Sequence, residues 1–247
     1  MLPDTLIKEY VQTFYGFGNW NAKIWFIGIE EAGGADEADV QRRLLAWAEH
    51  GRRDLENAPE FYPACGNRCW HVEGAKLQPT WRQLIRILFL ARGVADDDAA
   101  MLEYQRHQLG VAKGETCIAE LLPLPSPGTA EWSYQHWSDL AWLRSRKDYV
   151  ARARAGRENQ LRSKIKLHQP KAVIFYGLEL PGGISLLPSW SSIAGGRFDQ
   201  AFEDEEILLW RQTGDTALFV TRHPAAESDN YFRKIGIFLR EHHGDHF

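Results

Sequence analysis

The stretch IWFIGIEEAGG at residues 24–34 sets two adjacent carboxylates, Glu30 and Glu31, between an apolar run and a pair of glycines. Farther along, Glu120 sits inside TCIAELLPL, and the apolar run ALFVT is followed by Arg222, His223, Pro224 and Ala225. Paired acids can orient a water, stabilise a cation or move a proton, and a nearby histidine can donate to a developing anion. Glu120 stands out for its surroundings, because a carboxylate in an apolar run needs a partner or a shifted pKa. Each group also has a plain structural reading. Adjacent acids can cap a helix or line a solvated turn, and a His-Pro pair can simply shape a loop.

These residues share a position, at or just past the end of a run that reads as a buried strand. Four such runs occur, at residues 23–29 (KIWFIGI), 116–122 (TCIAELL), 172–177 (AVIFYG) and 217–221 (ALFVT). Short, apolar, β-rich segments of this kind suit strands covered on both faces of a parallel sheet. Residues 207–211 (ILLWR) read as the first arm of a hairpin into the last of them. Helical periodicity covers residues 5–14, 36–50, 80–92 with Thr80 as N-cap, 152–168 and 231–242. Alternating strands and helices predict a three-layer α/β/α domain around a central, mostly parallel four-stranded sheet, with residues 1–247 as one domain. In such sheets ligands bind beyond the carboxyl ends of the strands, which is where Glu30, Glu31, Gly33, Gly34, Glu120, Glu179 and His223 fall.

Bulk composition narrows the classes. With 44% hydrophobic and 25% charged residues, the chain has the makeup of a folded protein rather than a disordered one. A net charge of −4 supplies no overall attraction to nucleic acid, so any such contact needs a local basic face. One is offered by Arg144, Arg146, Lys147, Arg152, Arg154, Arg157, Arg162, Lys164 and Lys166, a segment with few acids. A solvated helix face explains the same segment. No run approaches the ~20 apolar residues of a membrane span, and the N-terminus lacks a signal-peptide layout, so the expected location is cytoplasmic with no membrane partner. Cys65, Cys69 and His71 fall close together in ACGNRCWH, but a fourth ligand is not evident, and no metal or cofactor is expected.

The ordered set of blocks resembles the uracil-DNA glycosylase superfamily. In that superfamily a first motif of the form G-Q-D-P-Y, G-I-N-P-G or G-E-A-P-G follows the first core strand, where this chain has Gly28-Ile29-Glu30-Glu31-Ala32-Gly33. A second motif, H-P-S, follows the last core strand, where this chain has His223-Pro224-Ala225. PKAVIFYG at residues 170–177 is similar to the third-strand signature, and CIAELLPLPSP lies where relatives present a base-reading asparagine. The chain departs from the pattern at Glu30, Glu31, Glu120 and Ala225, and the four-cysteine cluster set of some branches is absent.

The resemblance implies a DNA glycosylase that flips a noncanonical or modified base out of DNA and hydrolyses its N-glycosidic bond, as members acting on modified phage bases in antiviral defence are thought to do. Glu30 would stabilise the oxocarbenium-like sugar and orient water, with Glu31 in reserve, and His223 would donate to the departing base. Glu120 would read the base together with Gly28 and Ile29. An acid there fits the amino group of a cytosine-type base better than it fits uracil. Trp70 or Phe61 would stack on the base, and the sequence does not choose between them. Gly33 and Gly34 would bring backbone close to phosphate. Arg222, Ala225, Tyr231 and Arg233 would contact DNA, with Tyr231 to Arg233 either in the wedge or opening the core face of the last helix.

DNA is then the expected partner, and no obligate protein partner is evident. Two other readings use the same residues. One is a nucleoside hydrolase or deoxyribosyl transferase, whose activity would not fall steeply with salt. The other is an inactive nucleic-acid-binding module of the same fold, which would bind DNA without Glu30 or His223.

Overall fold

The computed structural model describes residues 1–67, 69–128, 131–180, 184–200 and 208–243. Its centre is a mostly parallel sheet flanked by helices. The four runs read as core strands form the parallel core: β2 (Ile24–Ala32), β4 (Thr116–Ser126), β5 (Ala172–Tyr176) and β10 (Thr216–Thr221). β2 pairs in parallel with β4 on one side and β5 on the other, and β5 pairs in parallel with β10. The first six residues of β2 and all of β4, β5 and β10 are buried, which is why each reads as an unbroken apolar run.

The sheet is larger than the four strands expected from sequence. Among the described residues it has eight, in the order β3 (Leu55–Glu56), β1 (Gly16–Gly18), β4, β2, β5, β10, β9 (Leu209–Thr213) and β8 (Asp199–Gln200). On one side β1 lies antiparallel to β4 and carries β3 beyond it. On the other, β9 lies antiparallel to β10 and carries β8. The added strands on the β4 side are two or three residues long, and β1 is GFG, dominated by a residue depleted in strands. The first hairpin arm begins at Leu209; Ile207, its expected first residue, lies outside the described residues. A separate pair, β6 (Glu179–Leu180) and β7 (Ile184–Ser185), follows β5.

Helices α1 (Asp4–Thr13), α2 (Glu37–Glu49), α3 (Ala58–Ala64), α4 (Pro79–Ala91), α5 (Asp98–His107), α6 (Arg146–His168), α7 (Leu187–Ala194) and α8 (Asp229–His243) complete the architecture. The cap of α4 is Gln78 rather than Thr80: its side-chain oxygen accepts from the Trp81 N–H at 2.6 Å, and Pro79 occupies the first turn. α6 starts six residues earlier than its periodicity suggests, because the Ser145 hydroxyl accepts from the Asp148 N–H at 3.1 Å and so caps it. That early start puts Arg146 in the first turn, beside the ends of the parallel strands. Among the described residues no helix is long and apolar enough to cross a membrane.

Candidate active site

Three strands cooperate at Gly28. It faces Glu120 of β4, and the register of β2 with β5, Ile27 opposite Phe175, brings Tyr176 level with it on the other side. Parallel neighbours in register point to the same face, so Glu120 and Tyr176 would be separated by whatever side chain β2 carried between them. Glycine leaves that space empty. A Cβ at Gly28 would collide with Glu120 Oε2 and with the Tyr176 ring and hydroxyl. Across the gap the Tyr176 hydroxyl donates to Glu120 Oε1 at 3.1 Å, while the buried Glu120 Oε2 has no partner among the described residues.

Glu120 is only 8% exposed, and its burial pushes the carboxyl well above the usual carboxylate range. The Tyr176 bond opposes that rise, and the neighbouring charges of Glu31 and Glu30 add to it. Beneath, the buried Arg157 guanidinium donates to the carbonyls of Glu120 and Phe14, each at 2.7 Å, and of Leu121 at 3.2 Å. Arg157 therefore braces the strand and leaves the set of surface cations offered for nucleic-acid contact. Arg162 is likewise engaged with the Ser192 carbonyl at 2.6 Å, and Lys164 with Asp54 at 2.7 Å.

Glu30 and Glu31 part company at the end of β2, as successive strand residues do. Arg146 Nη2 donates to Glu30 Oε2. Glu31 Oε1 accepts from Arg43 Nη1 at 2.6 Å and from the Tyr62 hydroxyl at 2.8 Å. Glu31 is thus built into a buried ion pair with a second donor. Among the described residues Glu30 has a single cation, and its buried Oε1 has no hydrogen bond. Burial raises the Glu30 pKa from its ordinary value, with Arg146 opposing the rise.

The glycine turn works differently from its expected role. A Cβ on Gly33 would stand 2.7 Å from Arg43 Nη2, so the missing side chain makes room for the chain's own guanidinium. The Gly33 N–H donates to the Ser126 carbonyl at 3.3 Å, and the Gly34 N–H to Asp39 Oδ2 at 2.7 Å. Neither amide is left over for a phosphate.

His223 opens the short turn Pro224–Ala226 past β10. The Ala225 N–H donates to His223 Nδ1 at 3.2 Å, which assigns the ring proton of the neutral form to Nε2. Burial lowers the His223 pKa, favouring that neutral form. The His223 ring lies 6.0 Å from that of Tyr176. A cleft of about 570 Å³ is lined by Ile29, Gly177, Leu178, Glu179, Arg222, His223 and Ala226. It sits past the carboxyl ends of β2, β5 and β10, the expected place for a ligand.

The remaining sequence-derived residues divide. Arg222 pairs with Glu227 at 2.9 Å at the cleft rim, and Ala225 is exposed. Tyr231 is 1% exposed, packs edge-on against buried Phe232, and accepts from the Arg222 N–H, so of its two expected roles the core one is realised. Arg233 pairs with Asp96 at 2.8 Å. Phe61 is fully buried beside Phe14 and Phe17, which removes it as a stacking surface. The next residue, Tyr62, is the one that reaches Glu31. Trp70 is half-buried with its ring 6.1 Å from Trp81, which in turn lies against Tyr62. His71 stacks on Tyr62, and burial pushes its pKa down to about 4. Cys65 is buried and Cys69 exposed, and among the described residues no three His, Cys, Asp or Glu side chains gather as a metal site would require.

No protein-family model matches the chain, and no curated protein matches it. The site therefore rests on its own geometry.

Sequence does not single out Tyr176, Tyr62 or Arg43, and it offers Arg146 only as a cation for nucleic-acid contact, where the structure pairs it with Glu30. Gly28 carried a usable signal for Tyr176, because a glycine inside a buried strand marks a close approach by a neighbour.

Proposed function

We propose that the protein is a DNA glycosylase of the uracil-DNA glycosylase type, hydrolysing the N-glycosidic bond of a noncanonical or modified base and leaving an abasic site. One observation carries the reading: Glu30 and a neutral His223 stand at the ends of β2 and β10, the two strands that flank β5. Cleavage of an N-glycosidic bond builds positive charge on the sugar and negative charge on the base. Glu30 supplies the carboxylate for the first, and its unpartnered Oε1 is the atom to orient the attacking water. His223 supplies an Nε2 donor for the second without itself needing a proton from solvent.

Glu31 acts as a positioning residue in this account. Its carboxylate is committed to Arg43 and Tyr62 and holds the end of β2 in place. Glu120 reads the base. With burial raising its pKa, the protonated acid can donate to one ring atom while its other oxygen accepts from an exocyclic amino group, the pattern a cytosine-type base presents. A target inside a duplex must first be flipped out, at a cost of a few kcal/mol.

The test is a panel of oligonucleotides carrying uracil, cytosine, 5-hydroxymethylcytosine, glucosylated 5-hydroxymethylcytosine or hypoxanthine at one position. Strand breakage on alkaline heating after incubation reports an abasic site. Breakage at a cytosine-type base supports the whole reading. Breakage at uracil alone would remove the role given to Glu120, and intact strands throughout with DNA still bound would favour the inactive binding module.

A further inference from the structure

A second recess lies away from the His223 cleft, between α1 and α6. Its volume is about 380 Å³. The two helices line it with rows four residues apart, Lys8 and Gln12 from α1 and Arg152, Gly156 and Gln160 from α6, and Trp142 lines it as well. Among the described residues no Asp or Glu lines it.

The charges here are unbalanced. Lys8 and Arg152 are exposed, and among the described residues neither makes an ion pair. The floor is Arg157, which is buried and gives its donors to three carbonyls, so among the described residues its positive charge also lacks a carboxylate counterpart. Three cations facing one groove repel a cationic ligand and give an apolar one no reason to bind.

Gly156 adds an independent observation. It lies inside α6, where glycine weakens a helix, yet a Cβ there would meet no atom within 4 Å. No packing demand explains the glycine, and its effect is to keep the groove wide. The Tyr15 hydroxyl donates to the Gln160 side-chain oxygen, which leaves the Gln160 amide hydrogens to face an acceptor.

We propose that this groove binds a phosphate ester of nucleotide size, with Lys8 and Arg152 on the phosphate, Gln160 donating beside them, and Trp142 against a planar ring. The same chemistry is presented by a free nucleotide and by one nucleotide of a DNA strand. The site does not depend on the glycosylase reading. Its floor does meet that site physically, since Arg157 also holds the Glu120 carbonyl.

Titration calorimetry on the full chain separates the cases, using deoxyadenosine monophosphate and, in parallel, a short unmodified single-stranded oligonucleotide. Arg152→Glu reverses an exposed charge, and Gly156→Leu fills the groove with a good helix former. Its melting temperature should equal or exceed that of the parent. Saturable nucleotide binding weakened about tenfold or more in both variants assigns the groove to a free nucleotide. Oligonucleotide binding weakened to that extent, with no saturation by the nucleotide, assigns it to a strand. Absence of binding by either probe, or equal affinity in parent and variants, overturns the proposal.

Discussion

The Tyr176 hydroxyl hydrogen-bonds Glu120 Oε1 at 3.1 Å across a strand that has no side chain between them, because the intervening residue is Gly28. This contact joins the second and third core strands over the first and fixes the orientation of a buried acid. It also brings Tyr176 between Glu120 and His223, so one residue touches both halves of the site.

Adding a methyl group at Gly28 should break this arrangement. Gly28→Ala places a Cβ against both Glu120 Oε2 and Tyr176, in a sheet too tightly packed to yield. The expected loss is about 1–3 kcal/mol, as for other overpacked cores. Urea denaturation should show a lower midpoint with an unchanged slope. Unchanged stability would mean that the two side chains can separate freely.

The buried acid gives a pH dependence of definite sign. The Glu120 pKa is raised in the folded protein from an ordinary value of 4.5, so between those two values the folded chain keeps a proton that the unfolded chain has lost. Its contribution to stability is full below the ordinary value and is lost as pH rises through the folded one. Glu120→Gln cannot ionise. It should match the parent near pH 4.5 and become progressively more stable than the parent at higher pH, by about 1.4 kcal/mol for each unit of the rise. Denaturation curves from pH 4 to 8 check this, and a constant difference across the range would contradict it. The same variant should alter the ranking of cytosine-type over uracil-type substrates.

The division of labour between the two adjacent acids is separately testable. Arg43→Ala leaves Glu31 buried without its cation and should cost about 3–5 kcal/mol. Glu31→Gln should lower stability while retaining turnover at temperatures where it is folded. Glu31→Gln with full stability and no turnover would transfer the catalytic role from Glu30 to Glu31.

His223→Ala removes the donor assigned to the departing base. The rate constant should fall by about 10²-fold or more in single-turnover assays, with substrate affinity changing far less. Loss of affinity with the saturating rate constant unchanged would instead describe a residue that only binds DNA.

The parallel core could be read from sequence because β2, β4, β5 and β10 are covered on both faces and so appear as apolar runs. β1 and β3 could not, since strands of two or three residues show no period, and they owe their place to their neighbours, β1 to β4 and β3 to β1. The strand ends bearing Glu30, Glu120 and His223 were legible for the same reason as the strands. Their partners were not. Arg146 lies 116 residues from Glu30, and only the early capping of α6 by Ser145 brings it there. Phe61 and Tyr62 are adjacent aromatics on a seven-residue helix, too short for periodicity to say which one faces the site. Gly33 and Gly34 suggested a phosphate turn, but their space and their amides are taken by Arg43, Ser126 and Asp39.

The most direct measurement compares wild type with Glu30→Gln for release of the free base from DNA carrying the best substrate of the panel, with binding measured on the same DNA. The account predicts stoichiometric base release and an abasic strand with wild type, and loss of release in Glu30→Gln with DNA binding retained. Base release by Glu30→Gln at the wild-type rate, or none from either protein on any base while both bind DNA, would contradict it.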